Sequence, residues 1–281
     1  MPTFLAPDGT KLTYHVEGTG APLICLPGGP MVASGYLGDL AGLTAHRTLI
    51  RLDLRGTGES AIPADLATYR CDRQVADVEA LRVHLGLDRI DVLAHSAGGD
   101  LTLSYAGAYP ERISSLVLLN ARARAVGIEF PQSDRDEAIA LRVDEPWYPA
   151  AIAALAKIRA GEASPELWDK LQPFTYRRWN ADSRADAEYC AAHRNVEAAA
   201  AYPGEGAFDP EATRAGLARL SAPVLLVSGS LDSGPRPKVV ESMVPLFGNA
   251  THVELPQVAH IPWLDNPEAF RATVIPFLTA S

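Results

Sequence analysis

Residues 90–100 read IDVLAHSAGGD. A run suited to a strand breaks off at His95 and passes at once through Ser96, Ala97, Gly98 and Gly99. Small residues at such a break permit a turn too sharp for bulky side chains. Two outcomes stand open: an ordinary strand-to-helix connection in which the serine caps the helix, or a turn that pushes Ser96 Oγ outward as a nucleophile.

The neighbouring segments repeat this build. Residues 23–26 are a short apolar run without alternation, ending in Pro27, Gly28 and Gly29, and residues 46–60, HRTLIRLDLRGTGES, give another strand with a Gly-rich end. Such runs suit strands covered on both faces. Upstream, FLAPDGTKLTYHVEG predicts a β-ribbon turning at Asp8-Gly9. Val75, Val78, Leu81 and Leu85 recur at helical spacing, with Gly86 as a stop. Residues 96–110 predict the helix after the serine, and RISSLVLLN the next strand. This alternation predicts an α/β fold, a mostly parallel twisted sheet with helices on both faces.

From residue 121 to 215 the alternation lapses. No strand is evident, alanine is abundant, and Trp147, Tyr148, Trp168, Phe174, Tyr176 and Trp179 are scattered through the stretch. It reads as an inserted helical domain. The core domain is therefore expected in two pieces, 1–120 and 216–281. The aromatic residues either form the insert's own small core or line a pocket under it, and Trp147 and Trp179 are candidates for touching substrate. After residue 216 a strand (APVLLVSGSLD), a helix (PKVVESMVPLF), a strand (ATHVELPQ) and a last helix follow, with Asn266 as cap and Pro267 in the first turn.

Composition narrows the function classes. The 281 residues carry a net charge of −9, which disfavours general affinity for nucleic-acid phosphates. No apolar run approaches the roughly 20 residues of a membrane-spanning helix, and the first residues lack a signal-peptide pattern. Cys25, Cys71 and Cys190 are odd in number, far apart and without metal-ligand spacing. A reducing cytoplasm, a small-molecule partner and no metal or other cofactor are the expectations; the oligomeric state is open.

A nucleophilic serine needs a base, a group to orient that base, and donors for the oxyanion. His260 lies in LPQVAHIPWLDNP, in a loop after the last predicted strand, where open α/β sheets build their sites. His15, His46, His84, His193 and His252 are less well placed, and His95, adjacent to Ser96 at a tight turn, should point away from it. Asp232 follows the strand PVLLVSGS directly and is the best-placed acid; Asn120, at the end of the preceding strand, has no carboxylate, and Asp209 and Asp265 are less favourably positioned. For the oxyanion, the N–H of Ala97 at the helix start and that of Gly29 in LPGGPM are the candidate donors, with Gly28 allowing close approach of a ligand. Singly, each residue has an ordinary structural reading: a cap, a solvated loop histidine, a turn aspartate, a plain Gly turn. Together they occur in the order Ser96, Asp232, His260, each at a strand end, and that agreement favours covalent catalysis.

This set resembles the α/β-hydrolase superfamily over essentially the whole chain. LPGGPM is similar to the H-G-G-P-G loop of the proline iminopeptidase branch, with Pro27 where that family has His and Met31 where it has Gly. DLRGTGES resembles the superfamily's D-x-R-G-x-G-x-S segment, and VAHIPWLDNP its catalytic-histidine segment. The elbow Ala94-His95-Ser96-Ala97-Gly98 departs from G-x-S-x-G by one methyl group and lacks the Trp of the iminopeptidase elbow. The resemblance implies a Ser96–Asp232–His260 triad, an oxyanion hole at Gly29 and Ala97, and a cap domain over residues 121–215. It also implies a serine hydrolase, an esterase or an iminopeptidase-like amidase. In the iminopeptidases cap carboxylates hold the substrate's amine; Glu129, Glu145, Glu197 and Glu205 lie in the insert without a placement in the pocket. Acyl transfer, cyclase or lyase chemistry, or ligand binding without turnover, are the alternatives.

Overall fold

The computed structural model describes residues 1–162 and 164–280. Eight strands form one sheet: β1 (Thr3–Leu5), β2 (Lys11–Gly18), β3 (Pro22–Leu26), β4 (Thr48–Leu52), β5 (Ile90–His95), β6 (Ile113–Leu119), β7 (Val224–Gly229) and β8 (Ala250–Leu255), in the order β1-β2-β4-β3-β5-β6-β7-β8. The predicted ribbon is the antiparallel β1–β2 hairpin, and β2 pairs antiparallel with β4. All other neighbours are parallel.

The central strands are apolar on both faces because both faces are covered. Ile24, Leu26, Val92, Ala94, Leu116, Leu118 and Leu226 pack into one cluster, and Leu23, Cys25, Leu93, Val117, Leu119, Leu225 and Val227 into another. That division is the two-residue period of a strand. The first face carries α1 (Cys71–His84) and α2 (Gly98–Ala108), and the second receives Phe270, Val274 and Leu278 of the last helix (Pro267–Ala280). Asn266 caps that helix, its Oδ1 accepting the Ala269 N–H at 3.1 Å.

Between β6 and β7 the described residues hold six α-helices and no strand. They are α3 (Gln132–Ala140), α4 (Tyr148–Arg159), α5 (Pro165–Asp169), α6 (Ala181–Ala192), α7 (Val196–Ala201) and α8 (Pro210–Leu217). Helix α8 straddles the boundary expected at residue 215 and packs on α2 of the core. After β7, the helix predicted over residues 237–247 is shorter than its pattern suggests. Helix α9 (Pro237–Glu241) gives way to a tight turn over Val244–Leu246, because Pro245 has no N–H and its ring crowds the preceding turn. Helix α10 (Pro262–Asp265) and α11 (Pro267–Ala280) complete the chain.

The DLRGTGES segment folds as a staple rather than as part of a cavity. Asp53, 1% exposed, accepts the N–H and Oγ–H of Ser34 at 2.9 and 2.7 Å and the Glu59 N–H at 3.1 Å, and pairs with His15 Nε2 at 2.9 Å. Two residues on, Arg55 donates twice to Asp77, each at 2.6 Å. Buried charges of this kind persist because each is paired and hydrogen-bonded.

Candidate active site

The register brings the predicted loops together. Leu26 at the end of β3 pairs with Ala94 on β5, so the Pro27–Pro30 loop lies beside the turn at Ser96. Gly229 at the end of β7 pairs with Leu255 on β8, which sets the Asp232 and His260 loops side by side. Both pairs open at the carboxyl ends of the parallel strands, where the order reverses around β3.

Ser96 has φ of +53°, a left-handed backbone that costs an L-residue about 1–2 kcal/mol. Backbone bonds hold it there. Its N–H donates to Leu119 O at 3.0 Å, and its carbonyl accepts the N–H groups of Gly99 and Arg122, each at 2.9 Å. Left-handed backbone so over-determined fits a sharp strand-to-helix turn that exposes the side chain better than it fits a helix cap, whose backbone is extended. Ala94 is fully buried against the core, so the methyl group that replaces the usual glycine hydrogen is accommodated in the strand. At Gly28 and Gly98 nothing larger fits. A Cβ at Gly28 would lie 2.7 Å from Ser96 Cβ, and one at Gly98 2.7 Å from the carbonyl oxygens of Leu26 and Pro27.

His260 Nδ1 meets Asp232 Oδ2 at 2.8 Å. Asp232 is completely buried, and its other oxygen accepts the Gly234 N–H at 2.7 Å. Because a carboxylate only accepts, Nδ1 carries the hydrogen and Nε2 is left as the imidazole's acceptor. Ser96 and His260 line one cavity of about 220 Å³, together with Gly29 of the Pro27–Pro30 loop. The Ser96 hydroxyl makes no hydrogen bond among the described residues, and such contacts commonly close only when substrate is bound. Neither the Gly29 nor the Ala97 N–H is engaged by the described residues, as an oxyanion site requires.

Three polar networks that the sequence reading missed hold this geometry. The first runs from loop to loop. The Gly28 N–H donates to Tyr36 Oη at 2.7 Å, Tyr36 Oη–H donates to His95 Nδ1 at 2.9 Å, and His95 Nε2–H donates to the His260 carbonyl at 2.8 Å. Burial drives the pKa of His95 well down, so the neutral ring this chain needs is the one present. Expected to point away from Ser96, His95 does make its bonds elsewhere, yet its ring still lines the same cavity. In the second, Asn120, at φ +44°, donates from Nδ2 to Ala259 O at 2.7 Å and accepts the Gly229 N–H at 3.0 Å. In the third, Asp265 accepts the N–H groups of Ala259 and Arg177, both at 2.8 Å, anchoring the His260 loop to the insert. None of the three has a local sequence signal, since each partner is distant along the chain.

Tyr36→Phe is expected to lower stability by about 1–3 kcal/mol, because it strands the buried Gly28 N–H and His95 Nδ1. Urea denaturation monitored by tryptophan fluorescence measures this, and an unchanged midpoint would dismiss the network.

Several sequence expectations need correcting. Gly28 does not line the Ser96 cavity; it is buried, backs onto Ser96, and spends its N–H on Tyr36. Trp147 is likewise outside, because its ring packs edge-on to Phe174 at 4.8 Å and under Arg142 at 5.0 Å. Trp179 packs tilted against Tyr176, ring centroids 5.7 Å apart, and lines not the Ser96 cavity but a neighbouring one that shares Gln172, Ala187 and Ala191 with it. The carboxylate of the Ser96 cavity is Asp186, whose Oδ2 accepts Tyr176 Oη–H at 2.8 Å; Glu129, Glu145, Glu197 and Glu205, for which the sequence predicts no place there, do not line it. Other candidates are occupied elsewhere: His84 with Tyr14, His252 with Ser228, and Asp209 capping α8. Among the described residues no cluster of His, Cys, Asp and Glu is arranged to hold a metal ion, and no helix is long and apolar enough to cross a membrane.

Comparison with known proteins agrees with this fold. A family model described as the alpha/beta hydrolase fold matches residues 21–267. The proline iminopeptidase of Levilactobacillus brevis is 28% identical over 272 residues, covering 92% of this chain and 88% of that protein. Among solved structures, the proline iminopeptidase of Mycobacterium smegmatis superposes with a TM-score of 0.73 at 25% identity, over 99% of this chain and 98% of that one. An esterase from Exiguobacterium antarcticum gives a TM-score of 0.74 at 20% identity, over 99% and 98% of the two chains.

Proposed function

The chain belongs to the alpha/beta hydrolase fold family, and from that premise we propose that it is a serine hydrolase cleaving an ester or amide bond of a small molecule through an acyl-enzyme. Ser96 Oγ attacks the carbonyl carbon and passes its proton to His260 Nε2. Asp232 holds the imidazole in the tautomer that accepts this proton and stabilises the imidazolium that results. The N–H groups of Ala97 and Gly29 receive the oxyanion; loss of one such donor costs about 3 kcal/mol of transition-state stabilisation. The imidazolium then protonates the leaving group, and water, deprotonated by the same Nε2, releases the acid and restores Ser96. Residues 121–215 act as a cap, whose Thr175 carbonyl accepts the His260 N–H at 2.9 Å and so ties the catalytic loop to the wall above it.

The observation that carries this reading is the pairing of a serine held in left-handed backbone with a histidine bonded to a fully buried aspartate, both facing one cavity. Its test is covalent trapping followed by product analysis. A fluorophosphonate should label Ser96 in the folded protein and not after denaturation, located by peptide mass spectrometry. Turnover of an ester in ¹⁸O-water should place solvent oxygen in the acid product. Absence of labelling would favour a ligand-binding protein, and an acyl product without solvent oxygen would favour acyl transfer.

A further inference from the structure

The Ser96 cavity does not end at its own walls. Gln172, Thr175 and Arg194 line it and also line a second, larger cavity of about 470 Å³, walled almost wholly by the insert with Ser233 from the core. The two spaces therefore adjoin, with Arg194 at the junction. The second cavity is apolar over much of its surface, through Ile139, Leu155, Ile158 and Phe174, but its charged residues are Arg135, Arg159 and Arg194, with no carboxylate among them. In a chain with 34 acidic and 25 basic side chains, a wall bearing three arginines and no acid runs against composition.

Two of those charges are unmatched. Arg159 pairs with Asp136. Arg135 lies over the Phe130 ring at 4.8 Å and has no ion-pair partner among the described residues, and the Arg194 side chain makes neither a hydrogen bond nor an ion pair with any of them. Arg135 and Arg194 are both exposed to solvent, so their attraction for an anion is long-ranged and screened by salt, while the planar fork of each guanidinium suits two-pronged recognition of an oxyanion. A free amine finds no counterpart in the second cavity. In the first, Asp186 is bonded to Tyr176, and burial raises its pKa, which disfavours the charged form an amine would need.

Resting on the serine-hydrolase reading, we propose that the physiological substrate is anionic: an acyl compound whose apolar arm runs from the carbonyl at Ser96 into the second cavity and ends in a carboxylate or phosphate held by Arg194 and Arg135. Arg194 is then a specificity-determining residue that distinguishes this site from one built for aminoacyl substrates.

Four 4-nitrophenyl esters with one chain length test this: octanoate, the suberate monoester, the ω-phosphonooxy-octanoate and the ω-amino-octanoate. Wild-type kcat/KM should be about tenfold higher for an anionic ester than for octanoate and lowest for the ammonium ester, the size expected for one charge-assisted contact. The carboxylate and phosphate arms identify the oxyanion. Arg194→Met should bring the anionic-to-neutral ratio near one, and Arg194→Lys should keep part of it. Added salt should shrink the wild-type ratio. Equal or reversed preference in the wild type, or a ratio unmoved by Arg194→Met with Arg135→Met, overturns the proposal. If octanoate hydrolysis depends on Ser96 but shows no charge preference, only the anionic substrate falls. If hydrolysis of all four survives Ser96→Ala, the serine-hydrolase reading falls and takes the proposal with it.

Discussion

Ser96→Ala is expected to lower kcat by about 10⁶-fold while leaving stability within about 0.5 kcal/mol of the wild type. The two halves of this expectation have separate causes. Activity falls because, in the proposed mechanism, the hydroxyl oxygen forms the bond to the substrate carbon, and no neighbouring group is placed to replace it. His95, the adjacent side chain, is held neutral and has both ring nitrogens committed to Tyr36 and the His260 carbonyl. Stability is spared because Oγ makes no hydrogen bond that the substitution could remove, and the contacts of Cβ with Gly28 survive in alanine. The left-handed backbone is held by the peptide groups of Leu119, Gly99 and Arg122, none of which the substitution touches. Ester turnover beside urea denaturation measures both. Activity within tenfold of the wild type would mean another nucleophile, and a large stability loss would recast Ser96 as structural.

The sheet and the loop ends were readable from the residues because their signals are local. A strand that stops at small residues announces both its own end and a turn with room for a backbone to approach, as at Gly28 and Gly98. Register between neighbouring strands then carries those ends to one edge of the molecule without further instruction. The insert follows different rules. Its aromatic residues have no period that tells an inward ring from an outward one, and their uses are set by partners far away in the chain. Trp147 answers to Arg142 and Phe174, and Trp179 to Tyr176 and Arg184. Tyr36 sits in a short turn, Ser34–Leu37, with no pattern to mark it, and its importance arises only when the Gly28 N–H and the His95 ring arrive from elsewhere. Arg194 is one basic side chain among 25 in the sequence; only the shape of two adjoining cavities makes it conspicuous.

Asp232→Asn should reduce kcat by about 10⁴-fold through a change of tautomer, with little change in the shape of the site. The aspartate accepts at both oxygens, from Gly234 N–H at 2.7 Å and from His260 Nδ1 at 2.8 Å. An asparagine of the same outline has one acceptor oxygen and one NH₂ group. If the oxygen stays on Gly234, the NH₂ faces His260 and requires Nδ1 to accept, which moves the imidazole proton to Nε2. The histidine then presents a donor to the Ser96 hydroxyl and cannot take its proton. If the amide turns the other way, two N–H groups oppose each other at Gly234 in a site with no exposure to water, a costlier arrangement. The first orientation therefore prevails, and the imidazolium formed during attack also loses its buried counter-charge. Nitrogen NMR of the His260 ring should show Nδ1 protonated in the wild type and Nε2 protonated in Asp232→Asn, alongside the fall in kcat. A loss of activity with the Nδ1–H tautomer intact would leave Asp232 acting only as a charge, and unchanged activity would remove it from the mechanism.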